Sequence, residues 1–366
     1  MAESNKDKID INQPKSWFEL SNSFSDVILS TRIRLIRNLA DFLFVNKLLD
    51  SDKDRIKSLV YDCFVSLPQF SFINYESLSE IGIELLRDKN IITGNPCSAV
   101  IINNEDESIS CLVNETEHIT ISSFAAGLDC EKVMKDVYKL DEHLQEKLQF
   151  AANFDFGYLS SKIKDCGSGM KITLRIFIPS IVLSGQLDVI NKLLREKNYY
   201  IKPVFNFKSD NIFSSCIFDI YSNNSIEGTE IEQMVNIQSI GMQIIKAERA
   251  ARNDFYNNNH TIVHNFFRQN FAKAMYSMLL NYEEAVCIIS AIKWGLNIGI
   301  IGGISDSELN SLYYRTKTGY IKSICINFNF TFEEDIKDSI ELKIKRLRAT
   351  LIQQAFEGII NENSIS

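Results

Sequence analysis

The sequence has no Cys-x-x-Cys pair, no apolar leader, no uninterrupted membrane-length apolar run and no surplus of positive charge. Its eight cysteines (63, 97, 111, 130, 166, 216, 287 and 325) are scattered without compact spacing, and the opening MAESNKDKID lacks a signal-peptide h-region, so a reducing cytoplasm is the expected compartment. A net charge of -8 and a pI near 5.3 exclude nonspecific attraction to nucleic acid or anionic membranes, although a local basic patch could still recruit phosphate. The longest apolar stretch, Val286 to Ile304, carries Lys293, Trp294 and Asn297 and breaks at Gly302-Gly303, which predicts a buried helix rather than a span. There is no Walker A loop, no internal repeat, and no low-complexity tract beyond a polar N-terminal arm and a short asparagine run.

What is present is the material of two domains: 366 residues, 45% hydrophobic and 23% charged. Residues 1–25 read as a loosely held polar arm anchored by Trp17 and Phe18. From 26 to 256 strands and helices mix. Lys171 to Ile178 alternates Ile172, Leu174, Ile176 and Ile178 with Lys171, Thr173 and Arg175, a strand with one core face. Ser108–Val113 and His118–Ser122 flank the turn-like Asn114–Glu117 as an antiparallel hairpin. Cys130 to Asn153 repeats apolar residues at helical spacing. The predicted class is α+β rather than a regular βαβ series. Thr229 with Glu232 makes a capping box opening a long helix that ends near Tyr256–Asn259. Beyond this boundary, 260–366 shows only helical patterns, including a second capping box at Ser305 and Glu308 and a last helix with Ile336, Ile340, Ile344, Leu347 and Leu351.

Candidate chemistry begins at Ser30-Thr31-Arg32-Ile33-Arg34. Arg32 and Arg34, two apart, project from one face of an extended segment, and guanidinium forks suit phosphate oxygens. A solvated basic strand completed by Arg37 is the competing reading. Lys171 and Arg175 lie about 13 Å apart on one strand face, able to bracket a nucleotide. Cys166-Gly167-Ser168-Gly169 could admit a ligand to the backbone or simply turn the chain. His260 and His264 have ligand spacing without an evident third partner, so no metal site is expected. Lys343, Lys345, Arg346 and Arg348 form a basic cluster that reads as a solvated face.

At STRIRLIRN the sequence resembles the ATP:guanidino phosphotransferases, and the bacterial protein-arginine kinases in particular. The likeness continues in order through Asn114–His118, Gly127-Leu128, Gly157–Ser161, Gly167–Gly169, Phe177–Pro179, Glu248–Arg252 and Leu296–Gly302. The resemblance implies a catalytic domain built as an antiparallel sheet flanked by helices that binds ATP-Mg2+, a helical domain recognising phosphoarginine, protein-arginine substrates, and family partners such as a zinc-bearing activator and Clp protease components; homodimers occur among its members.

Phosphoryl transfer to a guanidinium calls for arginines on the phosphates and carboxylates on the attacking nitrogen. By resemblance, ATP contacts fall to Ser30, Thr31, Arg32, Ile33, Arg34, Lys171, Arg175 and Lys202, and the phosphoarginine motif survives as Arg348. Both family carboxylates are replaced, by Thr116 and Phe207, while Thr120 replaces a phosphate-binding arginine and Lys171 another. Glu115, Glu117 and Asp210 are the candidate substitutes. The expected protein is a catalytically impaired kinase homologue with residual ATP binding. The alternatives are an active kinase using one of those substitutes and a scaffold that binds no nucleotide.

Overall fold

The computed structural model describes residues 16–20, 24–92, 99–207, 213, 216–225 and 228–361, with residues 360 and 361 as backbone only. Asp210 lies outside the described residues, as does most of the 1–25 arm. The protein is α+β. Its centre is an eight-stranded antiparallel sheet built from β1 (Ile28–Arg37), β2 (Phe70–Asn74), β3 (Val100–Asn104), β4 (Ile109–Val113), β5 (Ile119–Ala126), β8 (Met170–Phe177), β9 (Tyr199–Pro203) and β10 (Ile217–Ser222). The spatial order is β2-β3-β4-β5-β1-β8-β10-β9, so β1 lies mid-sheet between β5 and β8. Two two-residue pairs stand apart: β6 (Ala152–Asn153) with β7 (Gly157–Tyr158), and β11 (Ile301–Gly302) with β12 (Ile360–Asn361).

The period-two alternation of β1 and β8 decides which face of the sheet is core. Ile33 and Leu35 of β1, Ile119 and Ile121 of β5, and Ile172, Leu174 and Ile176 of β8 are buried in one cluster. Helices cover them. α3 (Cys130–Gln145) contributes Val133, Val137, Leu140 and Leu144, and α6 (Glu230–Asn258) contributes Ile237, Ile240 and Ile244. Each such side chain is worth about 1.5–3 kcal/mol when fully buried. The smaller helices α1 (Asp50–Phe64), α2 (Glu80–Asp88), α4 (Pro179–Leu183) and α5 (Leu187–Glu196) complete this part of the chain.

α3 stops at Gln145, short of the expected Asn153. Leu148 and Phe150 stay buried, which kept the apolar spacing going. The backbone, however, leaves the helix to bond the end of β1, with Ala40 N donating to Gln149 O at 3.0 Å and Leu39 bridging Phe150.

Beyond α6 follow α7 (His260–Tyr276), α8 (Tyr282–Ile298), α9 (Asp306–Arg315), α10 (Thr318–Asn327) and α11 (Ile340–Phe356). Both expected capping boxes form, Thr229 with Glu232 and Ser305 with Glu308. Against the purely helical pattern, β11 and β12 pair here, across Ile301–Asn361 and Gly302–Ile360. The apolar Val286 stretch is the buried helix α8, ended by Gly299 at φ 92, a left-handed position that suits glycine. Among the described residues no helix is long and apolar enough to cross a membrane.

Candidate functional site

The sheet face opposite α3 and α6 is polar across its centre. Alternation along β1 places Ser30, Arg32 and Arg34 there and turns Thr31 and Ile33 to the helix-covered side. Cross-strand register extends the row: Arg34 faces Lys171, Arg32 faces Thr173 and Ser30 faces Arg175. Asp219 of β10 then faces Arg175, and Lys202 of β9 faces Asp219. On the other flank Arg32 meets Phe124 and Arg34 meets Ser122. The five cations predicted from sequence, Arg32, Arg34, Lys171, Arg175 and Lys202, therefore share one face. Thr31 and Ile33 do not belong to it, because both are fully buried on the other side. Thr31 Oγ1 donates to Gly127 O at 2.7 Å, pinning the turn into α3.

The cations differ in what they touch. Arg175 Nε and Nη2 make a two-pronged pair with Asp219, at 2.9 and 3.1 Å. Burial raises the Asp219 carboxyl, but the Arg175 guanidinium outweighs it and holds the group below its usual range. Lys171 Nζ lies 2.7 Å from Asp165 Oδ1. Lys202 is exposed, 5.2 Å from the Tyr221 ring centre. Burial pushes the Arg32 guanidinium down to about 9, and the neighbouring Arg34 charge adds to the effect. Arg34 is also lowered by burial, with Glu115 acting in the opposite sense. Its Nε and Nη2 are shielded from solvent with no hydrogen-bond partner among the described residues. The Oγ atoms of Ser122 and of its β4 neighbour Ser110 are in the same condition.

The 114–118 loop presents three candidates differently. Thr116 is exposed, Glu115 half-buried and Glu117 buried. The Glu117 carboxylate is fully engaged, accepting from Asn38 Nδ2 at 2.8 Å and from Ser161 N at 3.1 Å. It ties the hairpin to the end of β1 and to the Ser160–Ser161 loop. His118 is wedged below it, accepting at Nδ1 from Leu39 N at 2.9 Å and meeting Leu43 O through Nε2 at 2.7 Å, which assigns the proton to Nε2. Thr120 lies on the polar face, opposite Ile36, as a short hydroxyl.

Phe207 stacks on Phe205, with centroids 5.2 Å apart and planes 7° from parallel, and meets Tyr282 of α8 edge-on at 6.2 Å. This position is aromatic packing against the helical region. Arg348 is 2% exposed and spends its donors on Thr316 O at 2.7 Å and Leu280 O at 2.9 Å. It clamps the segments before α8 and after α9. Arg37 is no part of a solvated strand. It is 0% exposed, forked onto Asp141 at 2.9 Å through both Nε and Nη2, and its guanidinium lies 3.7 Å from the Tyr158 ring centre. His260 and His264 pack in tilted contact with each other and with Tyr256, and among the described residues no group of three or more His, Cys, Asp or Glu side chains could hold a metal ion.

Sequence reasoning missed Asp165, Asp219 and Tyr314. Asp219 left one trace, the alternation of Phe218 and Ile220 with Asp219 and Tyr221. Tyr314 of α9 left none. It reaches across from the helical region to the edge of the cationic face, where it lines a small cavity with Arg175.

An antiparallel sheet with helices on one face and a row of arginines on the other is the architecture of a guanidino kinase. The ATP:guanido phosphotransferase C-terminal catalytic domain matches residues 38–251, more than half of the chain, and the chain belongs to that family. Protein-arginine kinases are among the proteins it is similar to. That of Bacillus subtilis is 24% identical over 316 residues, 84% of this chain and 86% of the relative. That of Geobacillus is 26% identical over 317 residues, 84% and 87%, and that of Syntrophomonas wolfei 24% over 310, 82% and 86%. Among solved structures, lombricine kinase superposes with a TM-score of 0.55 at 13% identity, over 66% of this chain and 73% of that one. The duplicated taurocyamine kinase of Schistosoma mansoni, with bound transition state analog components, gives 0.55 at 18%, over 64% of this chain. The chain spans 36% of that duplicated enzyme. At such identities the superpositions show the fold.

Proposed function

We propose that the protein is a protein-arginine-kinase homologue that binds Mg-ATP through Arg32 and Arg34 and does not transfer its γ-phosphoryl group. The observation that carries this reading is the division among the face's cations. Lys171 and Arg175 are neutralised by the chain's own carboxylates, Asp165 and Asp219, whereas Arg34 keeps two shielded donors with no hydrogen-bond partner among the described residues. Buried donors left in that condition are costly unless a ligand or water meets them. Phosphate oxygens are their natural partners. Mg2+ would arrive with the nucleotide and neutralise its phosphates.

Transfer requires more. A carboxylate must orient and deprotonate the attacking guanidinium nitrogen, work worth typically about 10²–10⁴-fold. At the two family positions stand exposed Thr116 and the packed Phe207, and Glu117 is saturated by its structural partners. Among the described residues Glu115 is the remaining candidate. Its influence on Arg34 favours a second reading, an active kinase of protein arginine with Glu115 as base. Calorimetry with Mg-ATP addresses binding directly. The unaltered chain should bind, and Arg34→Ala should weaken affinity about 10- to 100-fold, the worth of charge-assisted hydrogen bonds. Equal affinity in the two proteins would remove Arg34 from the site and this reading with it.

A further inference from the structure

Beside Arg32 on the polar face lies an aromatic layer that the chemistry above does not use. Its first member is Trp17, from the single turn Trp17–Glu19, which is 3% exposed and stacks on Phe124 with ring centroids 5.3 Å apart. Phe124 is the cross-strand neighbour of Arg32. Phe18 stacks in turn on Tyr314 of α9 at 4.4 Å. The turn is held from three sides. Trp17 N donates to Asp106 O at 3.1 Å in the β3–β4 turn, Glu19 pairs with Arg315 of α9, and Phe18 lines a residual cavity of about 20 Å³ with Arg175, Tyr314 and Lys317. That space fits about one water and no phosphate.

The sheet face on which the turn is seated carries polar groups that the turn does not satisfy. On the same face the Nε and Nη2 atoms of Arg34 and the hydroxyls of Ser110 and Ser122 have no partner. Arg32 is desolvated next to a like charge. Aromatic rings can exclude water from such groups but cannot satisfy them. The contacts that hold the turn are ring stacks, one main-chain bond and an ion pair whose Arg315 side chain is 37% exposed, and a pair that exposed contributes little. An anion offered to Arg32 and Arg34 therefore gains bonds that the closed arrangement forgoes.

We propose that the Trp17–Glu19 turn is a displaceable plug: its seating on Phe124 and Tyr314 and the binding of a phosphate-bearing ligand at Arg32 and Arg34 exclude each other. The proposal rests on the nucleotide-binding reading and adds the regulation of that site, with the Glu19–Arg315 pair as its latch. Anything that draws the turn away opens the site, and a ligand in the site pushes the turn out.

The test uses the full chain and Mg-ATP as the probe. Phe18→Ala removes the plug's body. Arg315→Ala removes only the latch at a half-exposed position, so the test survives if the first variant folds poorly. Both variants should bind Mg-ATP about tenfold tighter than the unaltered protein, because a closed fraction lowers apparent affinity in proportion. Trp17 is one of two tryptophans, so ATP should also shift the emission of the unaltered chain, and Trp17→Phe should abolish that shift. Equal ATP affinity in all three proteins with unmoved Trp17 emission would overturn the plug and leave the nucleotide site standing. Absence of ATP binding in every variant would overturn the nucleotide site and the plug together.

Discussion

Arg32, Arg34 and Arg37 share one strand, but Arg32 and Arg34 lie on its polar face and Arg37 on the other. Arg37 points to the helix side and is enclosed by Asp141, two carbonyls and the Tyr158 ring. Removing one member of a buried, forked pair strands the other charge, typically at about 3–5 kcal/mol. Arg37→Ala should lose that much in denaturant unfolding, with the phosphate face unaltered. His118 gives a test with a sign. Burial lowers its imidazole below the usual 6.5, so the unfolded chain takes up the proton first as pH falls. The contribution of His118 is full above pH 6.5 and is lost as pH falls through the lowered folded value. His118→Gln should flatten the acid side of the stability profile, which thermal unfolding across pH 5–7 would read. None of this was legible locally. Arg37 and Asp141 are 104 residues apart, and in the sequence the three arginines look alike.

At the scale of elements, capping and alternation were legible because both are short-range. Thr229 opens α6 by accepting from Glu232 N at 3.2 Å, and Thr229→Ala should cost about 1 kcal/mol in unfolding free energy. The strand at Lys171 and the hairpin around Asn114 follow from alternation and turn chemistry in the same way. The end of α3 was not legible, since Leu148 and Phe150 are buried whether or not the backbone is helical. Glu248 illustrates an element held by a distant residue: within α6, it accepts from Ser180 N at 3.1 Å and Ile181 N at 3.0 Å at the start of α4. Burial pushes its carboxyl up to about 7. Its sign is opposite to that of His118. The folded state holds the proton more tightly, so this contribution is full below about pH 4.5 and is lost as pH rises through about 7. Glu248→Gln, which cannot ionise, should remove that decline from the unfolding profile.

For the whole molecule, the ordered matches from STRIR to the helical region carried the family and the fold, because they depend on sequence order rather than on contacts. The condition of the site did not follow from them. The residues at Thr116, Thr120 and Phe207 could be read as losses, but the pairing of Lys171 with Asp165 and of Arg175 with Asp219 is a product of register and loop closure. So is the aromatic plug, which joins residues 17 and 18 to Phe124 and Tyr314. The proposed function is that of a kinase fold that keeps Arg32 and Arg34 for phosphate while Thr116 and Phe207 stand at the family's carboxylate positions. The most direct measurement is to incubate the purified full chain with Mg-ATP and an arginine-rich protein and to search for phosphoarginine by mass spectrometry under non-acidic conditions that preserve the N–P bond. The account predicts none above a no-enzyme control, from a protein that binds Mg-ATP in calorimetry; phosphoarginine that forms with the unaltered chain and disappears with Arg32→Ala would contradict it.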